Sequence, residues 1–233
     1  MITLSAFRTT CRAPNCKTKT RSGLGQWCEY HRQRRRRHGE ATQQGIRKQE
    51  LAPFVKVAQR IVARDSSGRV ETALREIHTI LTDHVRSVAV DADRGAWVPK
   101  WTARAAREML KVLVETPPLQ CACTVAGVFL LREHQPYLFV SERAFRFELV
   151  RHFHKLVATA WGSYYDEKAG RVKKTYRDLP PRTVPEIGAT LIEGYARFVG
   201  HVLRVDQRER VRGLAVKTAL DEGFAALEQA ASP

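Results

Sequence analysis

Cys11, Cys16, Cys28 and His31 follow the spacing C-x4-C-x11-C-x2-H, two close pairs of soft or borderline ligands parted by a short loop. Each pair can grip one metal ion from adjacent backbone positions, and a loop that folds back completes a tetrahedron. The expected ion is Zn²⁺. Four protein ligands leave no position for a water, so the expected role is structural: the metal replaces a core that so short a segment cannot build. The alternative is three unrelated reduced cysteines and a surface histidine. The two other cysteines, Cys121 and Cys123, head an apolar stretch and read as small buried hydrophobes.

Arg34, Arg35, Arg36 and Arg37 follow at once. If His31 lies at a helix start, Arg32, Arg35 and Arg36 fall on one side of that helix, with Arg34 and Arg37 beside them. Several guanidinium groups can then reach phosphates together, a contact that gains affinity by counterion release and carries little sequence information. Without an anion, so dense a run repels itself; the alternative is a solvated charged face.

The segment running from Cys11 and Cys16 through Gly25-Gln26-Trp27-Cys28-Glu29-Tyr30-His31 to Arg37-His38-Gly39 resembles a short zinc-binding segment common in bacteriophage and mobile-element proteins, where it often sits beside an HNH nuclease domain. The resemblance covers about the first forty residues. It implies a metal role for Cys11, Cys16, Cys28 and His31 and a nucleic-acid partner, DNA in preference to RNA. Nothing downstream resembles an HNH catalytic core, so nuclease activity is not implied.

The remainder must position this module. The chain has 233 residues, 43% of them hydrophobic, enough for one substantial core beside the small metal module. Its net charge of +16 implies a polyanionic partner, nucleic acid first and an anionic membrane surface second. Residues 8–38 carry ten Lys/Arg against the single acid Glu29, so the module is the expected electrostatic anchor. No apolar leader precedes a cleavage site, and the run from Val125 to Leu131 is far too short to cross a bilayer. The expectation is a soluble protein of the bacterial or host cytoplasm, nucleoid-associated, in a reducing compartment.

Helical periodicity then dominates, and the expected fold class is mainly α: a zinc finger over 1–39, a polar linker over 40–50, and a multi-helix bundle over 51–230 with one β-hairpin near 163–177. Helices are expected around Leu51–Val62, Val70–Val88, Trp101–Leu113 and Leu119–Arg132, the last apolar on nearly every face, and from the N-cap Ser141 through Phe145, Leu149, Phe153 and Leu156. Two capping boxes, Thr183 with Glu186 and Asp206 with Glu209, predict two final helices. The hairpin places Lys173 and Lys174 among tyrosines, a second candidate contact with a nucleic-acid backbone.

A phosphate tether does not need so large a bundle, so the helical domain is expected to bind a protein partner or to self-associate. Two other functions stay open. Arg146 and His152 stand at the Arg-x4-6-His spacing of HEPN ribonucleases, which are also helical bundles, and that resemblance implies roles in polarising a ribose 2′-hydroxyl and the scissile phosphate. The third is an assembly or inhibitory protein that docks on replication, recombination or packaging machinery. No Gly-rich phosphate loop, nucleophile elbow or hydrolytic carboxylate pair is present.

Overall fold

A computed structural model describes residues 9–22, 24–157, 162–167, 170–175 and 178–230. The fold is mainly α with one small hairpin. In order, the elements are α1 (Glu29–His38), α2 (Lys48–Ala63), α3 (Arg69–Asp93), α4 (Lys100–Glu115), α5 (Pro118–His134), α6 (Glu142–His154), β1 (Gly162–Asp166), β2 (Arg171–Thr175) and α7 (Val184–Ala230). The strands pair antiparallel, Tyr164 opposite Lys173 and Tyr165 opposite Val172.

The bundle is built around α5. Pro118 suits the first turn, where its missing N–H costs nothing, and the residues that follow are apolar on every side, so Cys121, Cys123, Val125, Val128, Leu130 and Leu131 are all fully buried. Helices α2, α6 and α7 pack around it through Ala58, Ile61, Phe145, Leu149, Leu191 and Tyr195, while α3 and α4 close the bundle with Leu74, Leu81, Met109 and Leu113. The Ser141 hydroxyl accepts the Ala144 N–H at 3.1 Å and starts α6 as its sequence predicts.

Two expectations need correction. The second capping box does not start a helix: α7 runs unbroken through Asp206. Between Val202 and Val211 there is no glycine or proline to break it, and the carboxylates of the supposed cap serve other helices. Asp206 is buried with Oδ2 2.8 Å from His134 Nε2 of α5, and Glu209 pairs with Arg64.

The polar stretch from 40 to 50 is likewise no free linker. Ala41, Gln43 and Ile46 are buried, and α2 begins at Lys48. The Gln43 amide donates to Leu138 O at 2.9 Å and its oxygen accepts the Val140 N–H at 3.0 Å, so a polar residue fastens this segment to the turn before α6.

α1 buries none of its own residues, so it cannot stand by packing alone. It is held at its C-terminus. Gly39 adopts φ +85°, and a Cβ there would lie 3.0 Å from the Phe147 ring and 3.1 Å from Arg143 O, so α1 ends where it docks on α6. Gly39→Ala should destabilise the protein by about 1–3 kcal/mol, combining left-handed strain with the lost approach. A urea unfolding curve indistinguishable from the parent's would show that the contact is slack.

Candidate metal centre and nucleic-acid interface

Backbone hydrogen bonds shape the metal cluster first. Thr10 and Lys19 bridge antiparallel, Cys11 N–H donates to Thr18 O at 3.0 Å, and Thr20 N–H donates to Thr9 O at 2.8 Å. This short ribbon turns at Asn15, whose φ of +60° is the left-handed conformation that asparagine tolerates best after glycine. The turn sets Cys11 and Cys16 side by side. Cys28 is the N-cap of α1, and His31, three residues on, shares its helix face.

The four side chains therefore meet. His31 Nδ1 lies 3.4 Å from Cys11 Sγ and 3.3 Å from Cys28 Sγ, Cys16 Sγ lies 4.0 Å from Cys28 Sγ, and all four ligand atoms fall within 4.8 Å of one another. All three thiols are free of disulfides. Hydrogen bonds from the backbone and hydroxyl of Thr18 hold the Cys16 thiol below its ordinary range, whereas burial raises that of Cys28. The cluster can hold one metal ion.

The arginines of α1 divide by what they touch. Arg34 donates from Nε and Nη2 to Gln43 O at 3.1 and 2.7 Å, from Nη2 to Thr42 O and from Nη1 to the Tyr30 hydroxyl, so its guanidinium fastens α1 to the following segment. Arg32 pairs with Glu29 at 2.7 Å and Arg37 with Asp178 at 2.8 Å. Arg35 and Arg36 are exposed, with no carboxylate within ion-pair distance among the described residues. Lys173 and Lys174 lie on β2, opposite Tyr164 and Ser163, while their side chains and residues 176 and 177 lie outside what is described.

A cavity of about 490 Å³ opens where the end of α1 meets α2 and α6. Its walls carry Arg36, Arg37, Lys48, Arg151 and Lys155 against one carboxylate, Asp178. A smaller groove shares Arg36, Arg37 and Asp178 and runs outward to Arg32. Behind the cavity sits Glu148, fully buried, with one oxygen 2.5 Å from His38 Nδ1 and the other accepting Ile46 N–H at 3.2 Å and Arg151 Nη1 at 3.4 Å. Gly45 leaves room for this knot: a Cβ there would meet His38 at 2.5 Å and Arg151 at 2.6 Å.

Sequence reasoning missed Lys48, Arg151, Lys155 and Glu148. The first three are dispersed in the sequence and converge only through the docking of α1. Glu148 did carry a signal: an acid set among Phe145, Phe147, Leu149 and Phe153 lies on the apolar side of its helix and must find partners when buried.

Arg146 and His152 are not brought together as a proton-transfer pair. Six residues of α-helix put them about 120° apart around the axis. Arg146 is half-buried and reaches Glu142 at 3.4 Å. His152 is buried, Nε2 has no hydrogen-bond partner, and burial pushes its pKa down to about 4. A shuttle near neutral pH needs an accessible ring titrating nearby, and this one has neither property.

No family model matches the chain, and no curated protein or solved structure matches it either.

Proposed function

We propose that the chain is a nucleic-acid-binding accessory or regulatory protein of a bacteriophage or related mobile element, in which zinc at Cys11, Cys16, Cys28 and His31 fixes a basic helix against a helical domain. The observation that carries the reading is the gathering of cationic side chains around α1 and the cleft beside it, of which Arg35, Arg36, Lys48 and Lys155 have no carboxylate within ion-pair distance among the described residues. Arg35 and Arg36 are exposed, and Arg32, Arg36 and Arg37 line one groove together with Glu29 and Asp178.

Zinc is favoured by the donor set. A Zn²⁺ tetrahedron of sulfur and imidazole ligands has edges of about 3.5–3.8 Å, close to the three separations of 3.3, 3.4 and 4.0 Å, with all four ligand atoms within 4.8 Å of one another. Three thiolates with one imidazole also suit this soft-to-borderline ion better than any oxygen-preferring one. When bound it supplies rigidity and no reactive position.

DNA is favoured over RNA by the resemblance to segments of DNA-acting proteins. The helical domain adds a protein partner or a second copy of the chain, since a phosphate tether does not need so large a bundle.

The test is fluorescence anisotropy of labelled duplex and single-stranded DNA and RNA across a salt series, with metal-replete protein. Arg35→Ala together with Arg36→Ala should weaken binding to all sequences alike and flatten the log–log slope on duplex DNA by about 2. An unchanged slope would make α1 a solvated charged face.

A further inference from the structure

We infer that the cleft between α1 and α6 is a nucleoside-phosphate site, which receives the phosphorylated end of a nucleic-acid strand or a free mononucleotide. The inference rests on the nucleic-acid reading for the strand end but not for the free nucleotide.

Five cations converge on one concavity, and they come from three separate stretches of chain. Arg36 and Arg37 close α1, Lys48 opens α2, Arg151 lies on α6 and Lys155 follows it. A strand passing across a surface spreads one negative charge per phosphate along its length, and a line of exposed arginines suffices for it. A terminal phosphate carries close to two charges on three clustered oxygens, and it is this compact dianion that cations arriving from several sides fit.

Two of the five are already engaged. Arg37 pairs with Asp178, and Arg151 leans on Glu148. Arg36, Lys48 and Lys155 have no carboxylate within ion-pair distance among the described residues. Partial burial and the charge of Arg151 hold Lys155 below the usual lysine range, against the opposing pull of Glu148 and Asp178. His154 does not compete for the ligand, since it is turned to Glu108 at 3.5 Å.

The cleft is more than a phosphate pocket. Phe147, Val150, Leu179 and Val184 give it apolar walls, and its volume lies in the range of small-molecule sites and is larger than a bare phosphate requires. An organic group attached to the phosphate would cover those walls. The smaller groove toward Arg32 shares two of the same arginines, so a strand lying along α1 reaches the cleft at its end.

The experiment uses the full metal-replete chain, freed of bound nucleic acid, and one DNA oligomer in three forms: 5′-phosphorylated, 3′-phosphorylated and unphosphorylated. Calorimetry with deoxyadenosine monophosphate, deoxyadenosine and inorganic phosphate runs beside it. Lys48→Gln with Lys155→Gln removes two cleft cations whose side chains make no hydrogen bond or ion pair among the described residues, and Arg35→Ala serves as a control on the outer face of α1. For the strand end, one phosphorylated form should bind at least ten-fold tighter than the unphosphorylated one, and the double lysine variant should erase that ratio. Arg35→Ala should weaken all three forms and leave the ratio intact.

For the free nucleotide, the monophosphate should bind directly, and the lysine variant should lose it while circular dichroism stays unchanged. Three forms binding equally with no monophosphate binding would overturn the cleft assignment and leave the nucleic-acid reading standing. Monophosphate binding with no oligomer binding would support the cleft and overturn that reading. A ratio that survives in the double lysine variant, or inorganic phosphate binding as tightly as the nucleotide, would overturn the assignment.

Discussion

Glu148→Ala should lower the unfolding free energy by about 3–5 kcal/mol, the cost of removing one partner from a buried charged group. The carboxylate is fully buried, and its two oxygens gather His38 from α1, the Ile46 N–H from the following segment and Arg151 from its own helix. Alanine leaves a buried N–H unsatisfied, strands Arg151 without its countercharge and frees the end of α1. Glu148→Gln should cost less, because one oxygen can still accept from His38 or Ile46, but its amide N–H groups then face other donors. A double-mutant cycle with His38→Ala should show strong coupling, since the loss of either partner breaks the same contact. Urea unfolding gives the number; a change below about 1 kcal/mol for Glu148→Ala would mean that the docking of α1 does not depend on this knot.

This dependence explains why some of the molecule is legible in the sequence and some is not. Metal ligands announce themselves because tetrahedral chemistry restricts both residue type and spacing, and Cys11, Cys16, Cys28 and His31 converge as their pattern predicts. Helices α2, α3, α4 and α6 are legible because each has to bury an apolar stripe, α5 because it is apolar on nearly every face, and Ser141 caps α6 through its own hydroxyl. The segment 40–50 reads as a linker since polar residues dominate it, yet Gln43 is fully buried with every amide group satisfied by backbone. Composition shows that a residue is polar; it does not show whether the fold supplies partners that make its burial tolerable. Asp206 misleads in the same way, because a carboxylate that could cap a new helix bonds His134 on a neighbouring one.

The arginine run shows the same limit at the functional site. Five arginines in six positions read as one electrostatic unit, but Arg34 is a structural clamp on Gln43 O, and Arg32 and Arg37 hold carboxylates. The cations that complete the cleft lie more than a hundred residues from α1 in Arg151 and Lys155, and α1 meets them only because Gly39 allows it to end against Phe147. The Arg37-His38-Gly39 end of α1 therefore acts as the joint of the Cys/His segment: His38 binds Glu148, and Gly39 permits the approach.

Removing the metal should give the largest effect of all. The apolar cluster around the ligands holds little beyond Cys11, Ala13 and Cys28 with Trp27 against them, and α1 has no buried residue, so residues 9–31 have no core to fold around. Structural zinc contributes on the order of 10 kcal/mol or more to the folding of such modules, far above what the ribbon's few hydrogen bonds can replace. Freshly purified protein should contain one zinc per chain by elemental analysis, and Cys28→Ser should lose it, since that residue is both a ligand and the N-cap of α1. Hydrogen exchange should then accelerate across residues 9–31 while α3 to α6, whose core is separate, keep their protection. Oligonucleotide affinity should fall with it even though no arginine has changed, because Arg35 and Arg36 act from a helix whose first turn the metal fixes. Zinc-free protein with residues 9–31 still protected would remove the metal from any account of this fold.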